Sequence, residues 1–163
     1  MYLINRNHKF HYEMENLLRV FFPNEKITVS EQYNETDNYC ITEKSECRIY
    51  VEVSAFGKHI KKEEEFSLSH KVHDETDESF FERKMAIMLF DILKDITGYT
   101  PPWGILTGVR PAKLMSNLLL KHGLQDTLSY FSKELKVCDE KTDLAVAVAK
   151  KEKKIIEKST PES

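Results

Sequence analysis

From Glu78 to Ile96, the residues Phe81, Met85, Met88, Leu89, Ile92, Leu93 and Ile96 recur mostly at three- and four-residue spacings, and Gly98 stands just past the last turn. This predicts an amphipathic helix whose apolar face is too wide to leave in water, so the chain must supply a second layer to cover it. Phe10, Met14, Leu17, Leu18, Phe21 and Phe22 form another such stripe, predicting a helix from about His8 to Phe22 that Pro23-Asn24 ends. Around these helices lie segments of a different period. Tyr2-Leu3-Ile4 is a short apolar run that fits a strand, Ile27 and Val29 alternate with polar neighbours, and Tyr39 and Ile41 do the same. Cys47 to Val53 puts Cys, Ile, Val and Val on one face and Arg48, Tyr50 and Glu52 on the other, the pattern of half-buried antiparallel sheet. Ser30 to Asn38 reads as a hairpin loop, and Phe56-Gly57-Lys58 as the turn into a strand through Ile60, Phe66 and Leu68. The expectation is an α+β domain over residues 1–99, a small antiparallel sheet covered by two helices.

Residues 100–158 read as a Pro/Gly connector followed by a helical region. Tyr99-Thr100-Pro101-Pro102-Trp103-Gly104 holds the backbone extended at the start. Pro111 suits the first turn of a helix through Leu114, Leu118 and Leu119 that ends at Gly123. Gln125 to Leu135 predicts another, with Leu128, Phe131 and Leu135 inward, and Asp139 is placed to cap a last helix carrying Leu144, Val148, Ile155 and Ile156. The end, residues 159–163, is expected to fray.

Charge and composition narrow the function classes. With 24 Lys+Arg against 27 Asp+Glu, the net charge of -3 supplies no general attraction to phosphate backbones, so no nucleic-acid partner is expected. No apolar run reaches the roughly 18 to 20 residues a bilayer span needs, and no signal core follows Met1. Cys40, Cys47 and Cys138 are odd in number and dispersed, which argues for reduced thiols and a cytoplasmic protein. In that setting Asn34-Glu35-Thr36 is a chance match to a glycosylation acceptor.

The spacing of candidate ligands is unfavourable for a metal. No C-x2-C or C-x3-C pair occurs, and the three cysteines read as small buried or half-buried thiols. His70 and His73, with Asp74, Glu75, Asp77 and Glu78, are the best metal candidate by composition, but acids before a helix are explained by its N-terminal dipole. His8 and His11 read as solvated surface residues. Nucleophile elbows and phosphate-binding glycine loops are absent from the sequence.

One segment stands apart. Pro101 to Leu114, PPWGILTGVRPAKL, packs a tryptophan, two glycines, an arginine and a lysine into a proline-bounded turn that leads into a helix. Trp103, Ile105 and Leu106 suit docking on an apolar surface, and Gly104 and Gly108 permit positive φ or close backbone approach. Arg110, followed by Pro111 and then by Lys113, suits a carboxylate at a helix start. These residues describe either a ligand or interdomain contact or a well-packed connector in which Arg110 pairs with an acid of the same chain.

Trp103 to Leu114, W-G-I-L-T-G-V-R-P-A-K-L, resembles the signature of the amino-terminal region of oxygen-independent coproporphyrinogen III oxidase-like radical-SAM proteins, the coproporphyrinogen dehydrogenase branch of Firmicutes. The order of parts is similar: a variable α+β region, a long helix, the W-G element, and a helical stretch with an Asp139-Glu140-Lys141 triplet. The likeness covers residues 75–160 well and residues 1–74 by length and pattern.

It implies a non-catalytic accessory domain in haem and porphyrin biosynthesis, whose partner is the radical-SAM barrel expected to follow it in the parent protein. The parent's [4Fe-4S] cluster and S-adenosylmethionine need C-x3-C-x2-C, which these residues lack, so no cofactor is expected in this chain and it should be silent on its own. The resemblance further implies that Trp103, Gly104, Gly108, Arg110, Pro111 and Lys113 meet the barrel or a substrate carboxylate. A free-standing protein-interaction module is the alternative.

Overall fold

The computed structural model describes residues 1–34, 38–108 and 110–159, with the backbone alone for 154–159. Glu35 and Thr36 of the acceptor triplet, the side chains of Ile155 and Ile156 expected inward, and the tail beyond Ser159 expected to fray therefore lie outside the described residues. The chain divides into two compact units, Met1–Pro101 and Pro102–Ser163.

The first unit runs β1 (Tyr2–Arg6), α1 (His11–Phe21), β2 (Thr28–Val29), β3 (Tyr39–Ser45), β4 (Arg48–Ala55), β5 (Lys58–Glu65) and α2 (Asp77–Thr97). This is the expected α+β class, but the sheet is mixed rather than antiparallel. Among the described residues its five strands follow the order β2-β1-β3-β4-β5, with β1 parallel to both neighbours and the last two pairings antiparallel. The cause is α1, which carries the chain from β1 back to the level at which β2 starts, so that β1-α1-β2 is a crossover unit. Alternation identifies a strand but is blind to its direction. For the same reason β2 and β3 do not pair as the hairpin expected around residues 30–38: β1 lies between them in the sheet.

β4 alternates as its sequence requires. Ile49, Val51, Val53 and Ala55 are buried while Arg48 is exposed, and Leu3, Cys40 and Thr42 join them on the same face through the pairing register. Phe56 and Gly57, both at positive φ, make the two-residue turn into β5. β5 stops at Glu65, short of the expected Phe66 and Leu68, and its run of exposed Lys and Glu protects the sheet edge from further pairing. Phe66 instead sets its ring edge-on against Phe80, with centroids 6.3 Å apart.

α2 is the centre of the unit. The seven apolar residues expected to face inward are all buried, joined by Phe80, Ala86, Phe90 and, unexpectedly, Arg83. The Thr76 hydroxyl accepts from the Ser79 N–H at 3.1 Å to cap its start, and Gly98 at φ 71 closes its end by donating to the Lys94 carbonyl at 2.8 Å. Arg83 is tolerated inside because Glu75 meets it bidentately, Nε to Oε2 at 3.1 Å and Nη2 to Oε1 at 2.7 Å.

α1 begins at His11 rather than His8, and His8 is not a solvated surface residue. Its Nδ1 accepts the Phe10 N–H at 3.0 Å, so the proton sits on Nε2, which donates to Thr42 Oγ1 at 2.7 Å; that hydroxyl in turn donates to Asn5 Oδ1 at 2.7 Å. Burial, with the charges of His11 and Lys44 adding to it, lowers the His8 pKa from 6.5 to about 4. Because the folded state binds this proton less readily than the unfolded chain, the stabilising effect is complete above pH 6.5 and is lost as pH falls from 6.5 towards 4. Discounted for partial exposure, the expected loss is about 1 to 2 kcal/mol. Urea unfolding of the full chain across that window checks it, and His8→Ala should flatten the dependence.

The second unit runs α3 (Pro111–His122), α4 (Leu124–Ser129), a π-helical turn (Tyr130–Glu134) and α5 (Asp139–Ser159). Its core is Met115, Phe131, Leu135, Val137, Ala145 and Ala149. The expected Leu114, Leu118 and Leu119 border this core, while the fully buried residue of α3 is Met115. On α5 the inward stripe is Thr142, Ala145 and Ala149, and Leu144, expected inside, is 47% exposed. Two alanines a helical turn apart let α5 approach its neighbours closely, and that stripe rather than the larger leucine sets its rotation. Asp139 occupies the first turn of α5 rather than the cap before it.

Candidate functional site: a cationic cleft between α3 and α5

The Trp103–Leu114 segment divides into an inward and an outward half. Trp103, Ile105 and Leu106 pack on the core of their own unit, so the apolar surface they dock on is supplied by this chain. Two backbone hydrogen bonds fasten the segment: Ile105 N–H to the Leu135 carbonyl at 2.9 Å, and Cys138 N–H to the Pro102 carbonyl at 2.9 Å. The π turn presents that Leu135 carbonyl, since Leu135 N–H reaches back five residues to Tyr130 at 3.1 Å and leaves its own oxygen free of the helix ladder. Gly104 lies directly against this junction at φ 61; a Cβ there would sit 2.0 Å from the Leu135 oxygen and 2.4 Å from the Lys136 carbonyl carbon. The expected close approach is therefore real, and its partner is backbone of the same unit. Lys141 Nζ lies 5.9 Å from the centre of the Trp103 ring.

Gly108 takes φ 69 and is exposed, and Arg110, in extended backbone as the residue before a proline must be, caps α3 ahead of Pro111. Arg110 and Lys113 are exposed and lie one turn apart on the wall of a cleft of about 620 Å³. Leu119, Leu120 and Leu124 supply its apolar surface with Ala149, and Lys150 and Lys153 of α5 bring two more cations; among the described residues Glu152 is the acid there. Trp103 and Gly104 do not line it. Thus two of the segment's singled-out residues meet at a surface site and two are consumed by the fold. Lys150, Lys151 and Lys153 stand close together in the sequence, but only packing decides which of them face α3.

The other sequence candidates are otherwise engaged. Among the acids beside His70 and His73, Glu75 holds Arg83 and accepts the Val72 N–H at 2.8 Å, and Asp77 pairs with Lys71. Burial opposes ionisation of Glu75, but Arg83 and the Val72 N–H outweigh it and hold its carboxyl below the usual carboxylate range. On the opposite sheet face Glu52 receives hydrogen bonds from Tyr50, Tyr39 and His59; these prevail over burial and likewise keep it ionised.

Cys40 is buried, its thiol pushed up by desolvation and by Glu52, while Cys47 is half-buried and Cys138 is exposed rather than sheltered. Among the described residues these three thiols do not form a cluster of metal ligands, so the donor set of a [4Fe-4S] centre is not present in them. No helix among the described residues is long and apolar enough to cross a membrane. Comparison with family models, with curated proteins and with solved structures gives no match for this chain.

Proposed function

We propose that this chain is a non-catalytic accessory region of an oxygen-independent coproporphyrinogen III oxidase-like radical-SAM enzyme. The supporting observation is the division of labour within Trp103–Leu114: Trp103 and Gly104 brace the segment from inside, while Arg110 and Lys113 stand exposed at the start of α3. The bracing fixes the backbone from which both cations reach solvent. Arg110 offers a planar fork of donors and Lys113 a mobile ammonium, which together suit a carboxylate of a catalytic barrel or of its substrate. The radical chemistry belongs to the barrel's cluster and cosubstrate; these residues bind and orient.

The test uses the polypeptide that joins this chain to such a barrel. Arg110→Ala with Lys113→Ala should lower coproporphyrinogen turnover (kcat/KM) about tenfold, the loss of one charge-assisted contact, while stability changes by less than about 0.5 kcal/mol because both side chains are exposed. Equal turnover and unchanged association of the two parts would discard the reading. A coding sequence that stops at Ser163 would favour the interaction module instead.

A further inference from the structure

We infer that the α3–α5 cleft binds a small amphipathic anion, an apolar skeleton ending in a carboxylate or a phosphate; this rests on the cleft itself and not on the family reading above. Its apolar surface is already exposed: Leu120 is 74% and Leu124 43% accessible, and both are leucines that a self-contained helical unit would gain by covering. The cations come as two pairs on facing helices, Arg110 with Lys113 and Lys150 with Lys153, each pair a helical turn apart.

Among the described residues, four cations to one acid reverses the balance of a chain whose net charge is -3, so the local field is a property of this site. All four side chains are exposed, so a ligand entering the cleft can reach their charge. The volume of about 620 Å³ falls within the roughly 300 to 1,000 Å³ of small-molecule sites. A purely ionic ligand would leave the leucines wet, and an uncharged one would leave the cations without a partner. An apolar body with an anionic end satisfies both.

The experiment titrates the full chain with dodecanoate and, separately, dodecyl phosphate, below their micelle-forming concentrations, with dodecylamine and dodecanol as controls. Both anions should bind saturably at one site, at least about tenfold more tightly than either control, and amide shifts should concentrate at Leu119, Leu120 and Ala149. Preference for dodecanoate or for the phosphate assigns the head group. Lys150→Glu with Lys153→Glu, and separately Leu120→Asp, should each weaken binding about tenfold or more; all three side chains are exposed. Should the charge reversal disturb the circular dichroism, Lys150→Gln with Lys153→Gln carries the same test. Equal affinity for dodecylamine, indifference to these substitutions, shifts elsewhere, or occupation of the cleft by an acidic amphipathic peptide while dodecanoate fails to bind would overturn the inference.

Discussion

Gly104→Ala is expected to destabilise the Pro102–Ser163 unit by about 3 kcal/mol or more. The added Cβ would overlap backbone, the Leu135 oxygen at 2.0 Å and the Lys136 carbonyl group at 2.4 and 2.5 Å, so no side chain can rotate away to make room. Relief requires the Trp103 segment to lift off, which breaks the Ile105-to-Leu135 hydrogen bond and exposes the Trp103 face of the core. The sole tryptophan of the chain lies in this segment, and its emission during urea unfolding reads the transition directly. Gly98→Ala is the control. Gly98 has a similar φ of 71 but nothing within 4 Å of the added carbon, so its cost, read from the unfolding of the Met1–Pro101 unit by circular dichroism, should be only about 1 kcal/mol. Equal costs at the two glycines would refute the argument from close approach.

Glu75→Ala should cost the Met1–Pro101 unit about 3 kcal/mol, because Arg83, at 5% side-chain exposure, would keep its charge inside and lose its bidentate carboxylate. Glu75→Leu combined with Arg83→Met should cost clearly less than the two single substitutions together, since the double change removes the buried charge as well as its partner. The pH dependence has a defined sign. The Glu75 carboxyl is held below its unfolded value, so its contribution is present above the ordinary carboxylate pKa of about 4.3 and is lost as pH falls through the lower folded one. Urea midpoints at neutral and acid pH should therefore differ less in Glu75→Ala than in the parent chain. Additive single and double effects would show that the pair is not coupled.

How much of this was legible depended on whether the cause is local. The seven inward residues of α2, its closing Gly98, the alternation of β4 and the Phe56-Gly57 turn follow from period, glycine conformation and turn chemistry, all of which act within a few residues. The strain at Gly104 was legible as a need for freedom, though not as contact with Leu135 thirty-one positions on. Strand direction, the capture of His8 by Thr42, the rotation of α5 about Ala145 and Ala149, and the burial of Arg83 were not legible.

The amino-acid sequence by itself determined the α+β order of elements, the apolar faces and the rigid tryptophan–glycine segment, because periodicity and backbone preference are written residue by residue. Only the tertiary structure decided that the sheet is mixed, that Trp103 points into its own unit, and that Arg110 and Lys113 share a cleft with Lys150 and Lys153. Those outcomes turn on which distant surfaces fit and which charges become neighbours, and spacing along a chain carries no record of either.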